Sequence, residues 1–553
     1  MRVLAVLYGG NLRPEAFQGV FPGGKSAFDL ALERVRLFPG WQKTVILGGD
    51  FPGLEFPPHT ELVQRPRWTR RDLLEAVSRL SQGWDLSCFA WADCPFLDPE
   101  LTGAMMVRHL RYGAEYSYAD GWPYGFAPEL LAPGTAGILA KIEGDGEHPV
   151  ERDSIFAVIQ KDINSFDIET EISAVDLRSH RLALCADSKR NLLLLTRFSA
   201  AAGTGEGIPG AGEAEGIIGE RPEILRTLPN FYPIQAARPC PQSCAFCPYP
   251  ALAGPPAASA AGEEFLDPGK FEALLDRITA FSGDAVIDLS LWGELALHPR
   301  RMELIRAVLE RPQLALVIET SGIGWKDSDL EEAAALAAGA RPALRNPLPP
   351  LSWIVSLDTA DGGRYREIRG PGFAEASGCA RKLLALFPAD AYVQAVRTSG
   401  AEDDIEKFYR SWKEAAPGGN SNIIIQKYDD FCGVLEKKQA SDIAPIERQC
   451  CWHIMRDLPV LLDGTVPLCR EELSALSGGG RVLGNIYQDS LETIWSAGEK
   501  YYAEHCVWQA KAAGKTRFAG QPGIEEQGGS DGAEGPAYPG ICAKCDEYYT
   551  YNF

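Results

Sequence analysis

Nowhere in its 553 residues does the chain approach the ~18 consecutive apolar residues of a membrane-spanning helix, so no membrane partner is expected. A secretion signal is missing as well. Residues 1–7 are mostly apolar but run straight into Tyr8, Gly9 and Gly10 without a cleavage site, the pattern of a first buried strand in a cytoplasmic protein. Positive charge is in short supply: 54 Lys and Arg stand against 75 Asp and Glu, a net charge of −21. That balance argues against general nucleic-acid binding, which needs a positive field, and leaves room for a basic peptide or a small cofactor. What is present is a globular composition, 45% apolar and 23% charged. At this length two to four domains are expected.

Fourteen cysteines without a secretion signal argue against a disulfide framework and for metal or redox use. Cys88, Cys94 and Cys185 come early. Cys240, Cys244 and Cys247 form a tight loop, and Cys379, Cys432, Cys450, Cys451, Cys469, Cys506, Cys542 and Cys545 follow. Metal chemistry therefore belongs to the second half. The loop's three thiols can converge on one inorganic centre. Structural zinc wants a fourth ligand close by, and the next cysteine is Cys379. Three thiolates on a cubane of four irons leave one iron open for a substrate or cofactor.

Residues 1–198 alternate short apolar runs (3–7, 44–47, 86–91) with helical periods (26–37, 70–81), which implies an open parallel sheet with helices on both faces. The run ending at Trp91 leads into Ala92, Asp93, Cys94, Pro95, Phe96 and Leu97, at the strand end where α/β folds place ligands. This segment resembles the Asp-x-Pro-Phe-Leu strand end of sugar-nucleotide and molybdopterin-type nucleotidyltransferases. That resemblance implies a magnesium ion at Asp93, bridging nucleotide phosphates. The phosphate loop departs from the family: only Gly9 and Gly10 with Arg13, then Gly23, Gly24 and Lys25, are offered. An active transferase and a degenerate scaffold that holds a substrate or partner both stay open. Residues 199–222 are rich in Gly, Ala and Glu and are expected to be a flexible linker. Similar tracts at 250–262, 332–350 and 511–540 are expected to be surface insertions.

From 223 to 430, six strand-like runs (231–237, 285–291, 314–318, 353–358, 391–396, 423–427) alternate with amphipathic helices. Successive strands with helical crossovers make a partial (β/α)6 barrel, with an active site at the carboxyl ends of the strands. The first run feeds directly into the cysteine loop. With Phe246 before its last cysteine, the loop resembles that of the radical S-adenosylmethionine (SAM) enzymes. Trp292, Gly293 and Glu294, followed by Leu297, His298 and Pro299, stand where that family has Gly-Gly-Glu. The resemblance implies that this segment receives the amino group of SAM. It likewise gives Ser356 and Asp358 to the ribose and Arg369 (or Arg366) to the SAM carboxylate. Cys240, Cys244 and Cys247 would be the catalytic ligands of a 4Fe-4S cluster.

Residues 431–553 hold the second cysteine set. An apolar run from Leu461, a turn at Asp463 and Gly464, and Cys469 read as a hairpin, and a helix is expected from Leu491 to Trp495. Cys451, Gly464, Cys469 and the later Cys542 and Cys545 resemble the SPASM extension of radical SAM enzymes, which carries auxiliary 4Fe-4S clusters. Cys450 is an alternative to Cys451. Cys506 is the better spare ligand and Cys432 the other. A four-cysteine zinc knuckle competes for the same ligands. The whole chain resembles the spiro-SPASM proteins. The resemblance implies reductive cleavage of SAM to a 5′-deoxyadenosyl radical, an external reductant such as flavodoxin or ferredoxin, and a peptide or protein substrate. Two other readings are a bifunctional enzyme with an active nucleotidyltransferase domain, and a non-enzymatic iron–sulfur scaffold or redox sensor.

Overall fold

The apolar opening strand, β1 (Val3–Gly9), is buried along its whole length. It pairs in parallel on both sides, with β2 (Trp41–Gly48) and β4 (Leu86–Trp91), and helix-covered central strands are apolar throughout rather than alternating. With β3 (Thr60–Gln64), β5 (Tyr116–Asp120), β6 (Glu129–Leu131) and β7 (Ile168–Ile172), the sheet runs in the order β3-β2-β1-β4-β6-β5-β7. Serine and threonine caps start two of its helices: Ser26 with Asp29, and Thr69 with Asp72, each form a capping box. The fully parallel sheet expected from sequence is corrected at β6, which is antiparallel to both β4 and β5. Residues 121–128 between β5 and β6 are too few for a helical crossover, so the chain can only turn back.

The computed structural model describes residues 1–51, 53–202, 207–249, 264–340, 348–415, 422–441, 450–512 and 540–549. It divides into two units, Met1–Thr227 and Leu228–Phe553. The stretch expected to be a flexible linker is folded where described. The helix Lys189–Ala201 enters it, and a turn at Ala211–Glu213 leads into the helix Ala214–Glu220. Ala211, Ala214, Ile217 and Ile218 are buried, and their spacing of three to four residues is helical, a signal hidden under the glycine content.

In the second unit β8 (Phe231–Pro233), β9 (Ala285–Asp288), β10 (Leu314–Thr320), β11 (Leu351–Ser356), β12 (Ala391–Arg397) and β13 (Ile423–Lys427) lie side by side in sequence order. Every pair is parallel, giving a curled half-barrel. The tract expected as an insertion from 332 is helix as far as Gly339, since alanine is the best helix former. Residues 250–262 and most of 511–540 lie outside the described residues.

The free edge of β8 is covered by the cysteine-rich tail. Leu458 N–H donates to Phe231 O (3.0 Å), Val460 N–H to Pro233 O (2.8 Å), and Gln235 N–H to Val460 O (2.9 Å). Covering an open edge removes a row of unpaired backbone groups. The tail also shares the barrel's core: Ile454, Leu462, Leu468 and Trp495 pack in one cluster with Leu316 and Trp353. In the tail, β14 (Thr465–Pro467) pairs antiparallel with β15 (Val482–Asn485). Gly464 makes the tight turn before β14 at φ +85°, where a Cβ would run into the Tyr487 ring. The strand partner is thus β15, beyond the short hairpin read at 461–469.

Candidate functional site

The segment leaving β8 reaches Cys240, and the loop that follows is pinned to the segment after β11. Ser243 N–H donates to Arg369 O (3.1 Å) and Ala245 N–H to Ile368 O (2.8 Å), while Cys247 N–H donates to Cys244 O (3.1 Å) within the loop. Cys240 is exposed, and Cys244 and Cys247 are half-buried. Loss of solvation around the sulfur, then the charge of Glu294 and the Cys244 thiol, push Cys240 up to about 11 even though the residue as a whole is exposed, and burial with the two other thiols pushes Cys247 up to about 12. Binding a metal here therefore displaces protons. All three cysteines line a cavity of about 630 Å³ together with Phe246, Tyr249 and Trp292. Gly293, Glu294, Ser356 and Arg369 face the same cavity.

Trp292 and Gly293 both have positive φ, +51° and +79°. A Cβ at Gly293 would overlap the Ala237 carbonyl oxygen, so only glycine lets this turn sit against the approach to the cysteine loop. Glu294 N–H then donates to Pro239 O (2.9 Å). The buried Glu294 carboxylate accepts from Ala296 N–H (3.1 Å), Thr320 Oγ1 (2.7 Å), Ser321 N–H (2.8 Å) and Ser321 Oγ (2.7 Å). Four donors match its acceptor capacity. Glu294 thus braces the end of β10 to the loop, and its carboxylate holds no spare acceptor for an amino group. Trp292 stacks on Tyr249 (5.8 Å, 9°) and leans on Phe431 (5.7 Å), forming an aromatic wall.

Arg369 and Asp358, expected to contact different parts of SAM, pair with each other. Arg369 Nη1 donates to Asp358 Oδ2 (2.6 Å) and Nε to Gln242 Oε1 (2.8 Å). Its guanidinium lies 5.8 Å from the Phe246 ring. Burial works against the Arg369 charge, but Asp358, with Cys244 and Tyr365, more than offsets it and the pKa rises. Asp358 also accepts from Val396 N–H (2.7 Å) at φ +65°, and it is not among the described residues lining the cavity. Sequence reading passed over Gln242, whose Nε2 donates to Tyr365 OH (2.7 Å); its place inside the cysteine loop was the available signal. Ser356 Oγ (2.6 Å) and Gln394 Nε2 (2.8 Å) both donate to Glu319. On the neighbouring strand β9, Asp288 is pushed up to about 7, chiefly by burial and further by the charge of Glu319.

In the tail, Cys451, Cys469 and Cys542 are buried and Cys432 and Cys545 half-buried. The Cys469 thiol is raised by burial and then by nearby charge, including Cys451, Cys545 and Cys542. The Cys432 thiol is raised above the ordinary value, first by its interaction with Cys545 and then by burial. Cys451, Cys542 and Cys545 are thus near enough to Cys469 to act on its thiol, and Cys432 adjoins Cys545. The ranking of the spares is corrected: Cys506, on the helix Glu499–Ala512, faces Cys450 with sulfurs 3.3 Å apart. Cys450 also donates to Gln509 Oε1 (2.9 Å), which leaves Cys451 as the member of the pair in the group.

Both Nη atoms of Arg481 lie 3.4 Å from Cys542 Sγ, an arrangement that favours a thiolate. Among the described residues, the His, Cys, Asp and Glu groups whose ligand atoms all lie within 4.8 Å comprise one set, Asp429, Asp546 and Glu547. Lys427 and Arg470 neutralise that set. No described cysteine trio is drawn in to the sulfur spacing of roughly 3.8 Å that tetrahedral zinc with ~2.3 Å bonds imposes. Both cysteine sets are all-thiol, the donor type that an iron–sulfur cluster takes.

Asp93 follows β4 in the first unit and is buried. Arg152 holds it with both terminal nitrogens, Nη1 to Oδ1 at 3.0 Å and Nη2 to Oδ2 at 2.6 Å. The residues there do not fit the magnesium ion that the resemblance implied. Lys25, the lysine of the Gly-Gly-Lys, pairs with Glu33 at 2.6 Å on the surface.

An uncharacterized protein of Treponema pallidum (strain Nichols) is 34% identical over 406 residues, covering 72% of this chain and 98% of that protein. The chain belongs to the family of that protein. A second uncharacterized Treponema pallidum protein shares 43% identity over 54 residues, 10% of this chain and 25% of its own. No protein-family model matches. Among solved structures, Streptococcus suis SuiB bound to precursor peptide SuiA is 14% identical over 48% of this chain, with a TM-score of 0.36. The match spans 64% of the SuiB chain. A cytidylyltransferase from Leptospira borgpetersenii serovar Hardjo-bovis (strain JB197) is 15% identical over 40% of this chain and 95% of its own, at a TM-score of 0.33. Both structural likenesses are too loose to fix a fold or an activity.

Proposed function

We propose that the second unit is a radical SAM enzyme with a SPASM-like tail that carries an auxiliary 4Fe-4S cluster. The observation that carries this reading is the placement of Cys240, Cys244 and Cys247 directly after the first strand of the half-barrel, facing a cavity lined by later strand ends. Cys240, Cys244 and Cys247 would hold a 4Fe-4S cluster there, which would supply the one electron needed to cleave SAM at its sulfonium into methionine and a 5′-deoxyadenosyl radical able to take hydrogen from a C–H bond. The chain's own residues orient and enclose. Gln242 and Arg369 fix the loop, Gly293 lets the turn after β9 approach it, and Glu294 ties that turn to Thr320 and Ser321. Tyr249, Trp292 and Phe431 wall off water on one side. Cys451, Cys469, Cys542 and Cys545 hold the auxiliary cluster. A peptide or protein is the proposed substrate, with a flavodoxin or ferredoxin as reductant and the cytoplasm as the compartment.

The test is anaerobic reconstitution with iron and sulfide, followed by reductant and SAM. Wild-type protein forms 5′-deoxyadenosine, and a variant with alanine at Cys240, Cys244 and Cys247 forms none. Equal yields from both would leave the cluster-bearing scaffold as the better reading.

A further inference from the structure

The two carboxylates beside β4 already have a cation. Besides its two bonds to Asp93, Arg152 Nη2 donates to Asp187 Oδ2 at 3.0 Å. The side chains of Arg152, Asp93 and Asp187 are 12%, 2% and 7% exposed, so the three meet in the interior of the first unit. The guanidinium lies 4.4 Å from the Trp91 ring and 5.3 Å from the Tyr124 ring. Aromatic faces suit a planar cation, whereas magnesium asks for an octahedron of oxygens and keeps several waters. The remaining capacity of Asp187 is also in use. Asn191 Nδ2 (2.7 Å) and Ser188 Oγ (3.4 Å) donate to Oδ1, and the Cys185 thiol (3.1 Å) to Oδ2. Burial opposes the Arg152 charge, yet Asp93 and the other anions around it carry the pKa well above the ordinary value.

Gly10, one of the glycines offered for a phosphate, has a packing reason of its own. A Cβ at Gly10 would run into the Tyr8 hydroxyl and the Trp68 ring. We infer that Arg152 is a built-in cation standing where a nucleotidyltransferase carries magnesium, so that Asp93 and Asp187 bind no divalent metal and the first unit performs no metal-dependent nucleotidyl transfer. Releasing Arg152 would leave buried charges unpaired.

Manganese(II) serves as the probe, followed by electron paramagnetic resonance on the full chain with its clusters oxidised. Wild type, Asp93→Asn and Asp187→Asn are expected to bind the same amount of manganese. Arg152→Met is expected to gain one manganese site and a magnesium-dependent rise in thermal midpoint. The double variant Arg152→Met/Asp93→Asn is expected to lose both. A wild-type site that disappears in Asp93→Asn or Asp187→Asn would overturn the inference, as would a folded Arg152→Met that gains no site. If Arg152→Met does not fold, the comparison of wild type with the two asparagine variants still decides.

Discussion

Asp358 and Arg369 are a buried ion pair, 3% and 8% exposed in their side chains. Removing one member of such a pair leaves a charge without a partner in a poorly solvated place. Asp358→Ala is therefore expected to destabilise the second unit by about 3–5 kcal/mol, read by urea denaturation. A carboxylate whose main role is to hold ribose would instead weaken SAM binding and leave stability unchanged. A second residue shows its environment through pH. Glu129 on β6 has a buried carboxylate oxygen with no partner, and its pKa stands at about 8 instead of 4.5. Burial is the main cause, the Tyr116 hydroxyl works against it, and Asp153 adds to it. Between 4.5 and 8 the folded chain holds a proton that the unfolded chain has released, so stability falls as pH rises through that window and levels off above it. Glu129→Gln should flatten this trend, seen as a smaller drop in thermal midpoint between pH 5 and 9.

At the scale of elements, the turn after β9 is where the site is least tolerant. Gly293→Ala combines a φ of +79° with an overlap on Ala237, and a loss of about 2–4 kcal/mol is expected from strain of this kind. Iron at the cysteine loop should fall while tail iron stays, which metal analysis of the reconstituted variant measures. The strands flanking this turn were legible in the sequence because parallel strands buried on both faces are continuous apolar runs ending in polar residues, as in 285–288 and 314–320. β6 was not, because three residues carry no periodicity. The helix Ala214–Glu220 was misread because glycine and alanine suggest a linker until burial shows which side chains pack. Candidate residues were legible by type and position, but their partners were not. The hold of Thr320 and Ser321 on Glu294, of Arg369 on Gln242, and of Arg152 on Asp93 all join residues far apart in sequence. No motif records such pairings.

For the whole second unit, the decisive feature is that the tail and the half-barrel share one core and one sheet edge. Replacing Cys542 and Cys545 should remove about four irons, one cluster's worth, while SAM cleavage persists in part because Cys240, Cys244 and Cys247 are untouched. Cys506→Ala should keep the full iron count, because Cys506 faces Cys450 rather than the group. Stoichiometric zinc in the tail would instead make that group a zinc knuckle. Stability supplies the sharper test. Were the tail a body of its own, losing its metal would melt the tail and leave the barrel's transition in place. Here Leu458 and Val460 cover the edge of β8, and Ile454, Leu462, Leu468 and Trp495 pack on barrel side chains. Loosening the tail therefore exposes both the edge and the core of the barrel. The Cys542/Cys545 variant should lower the melting of the second unit as one cooperative step, and calorimetry that resolves a separate tail transition would refute the shared core.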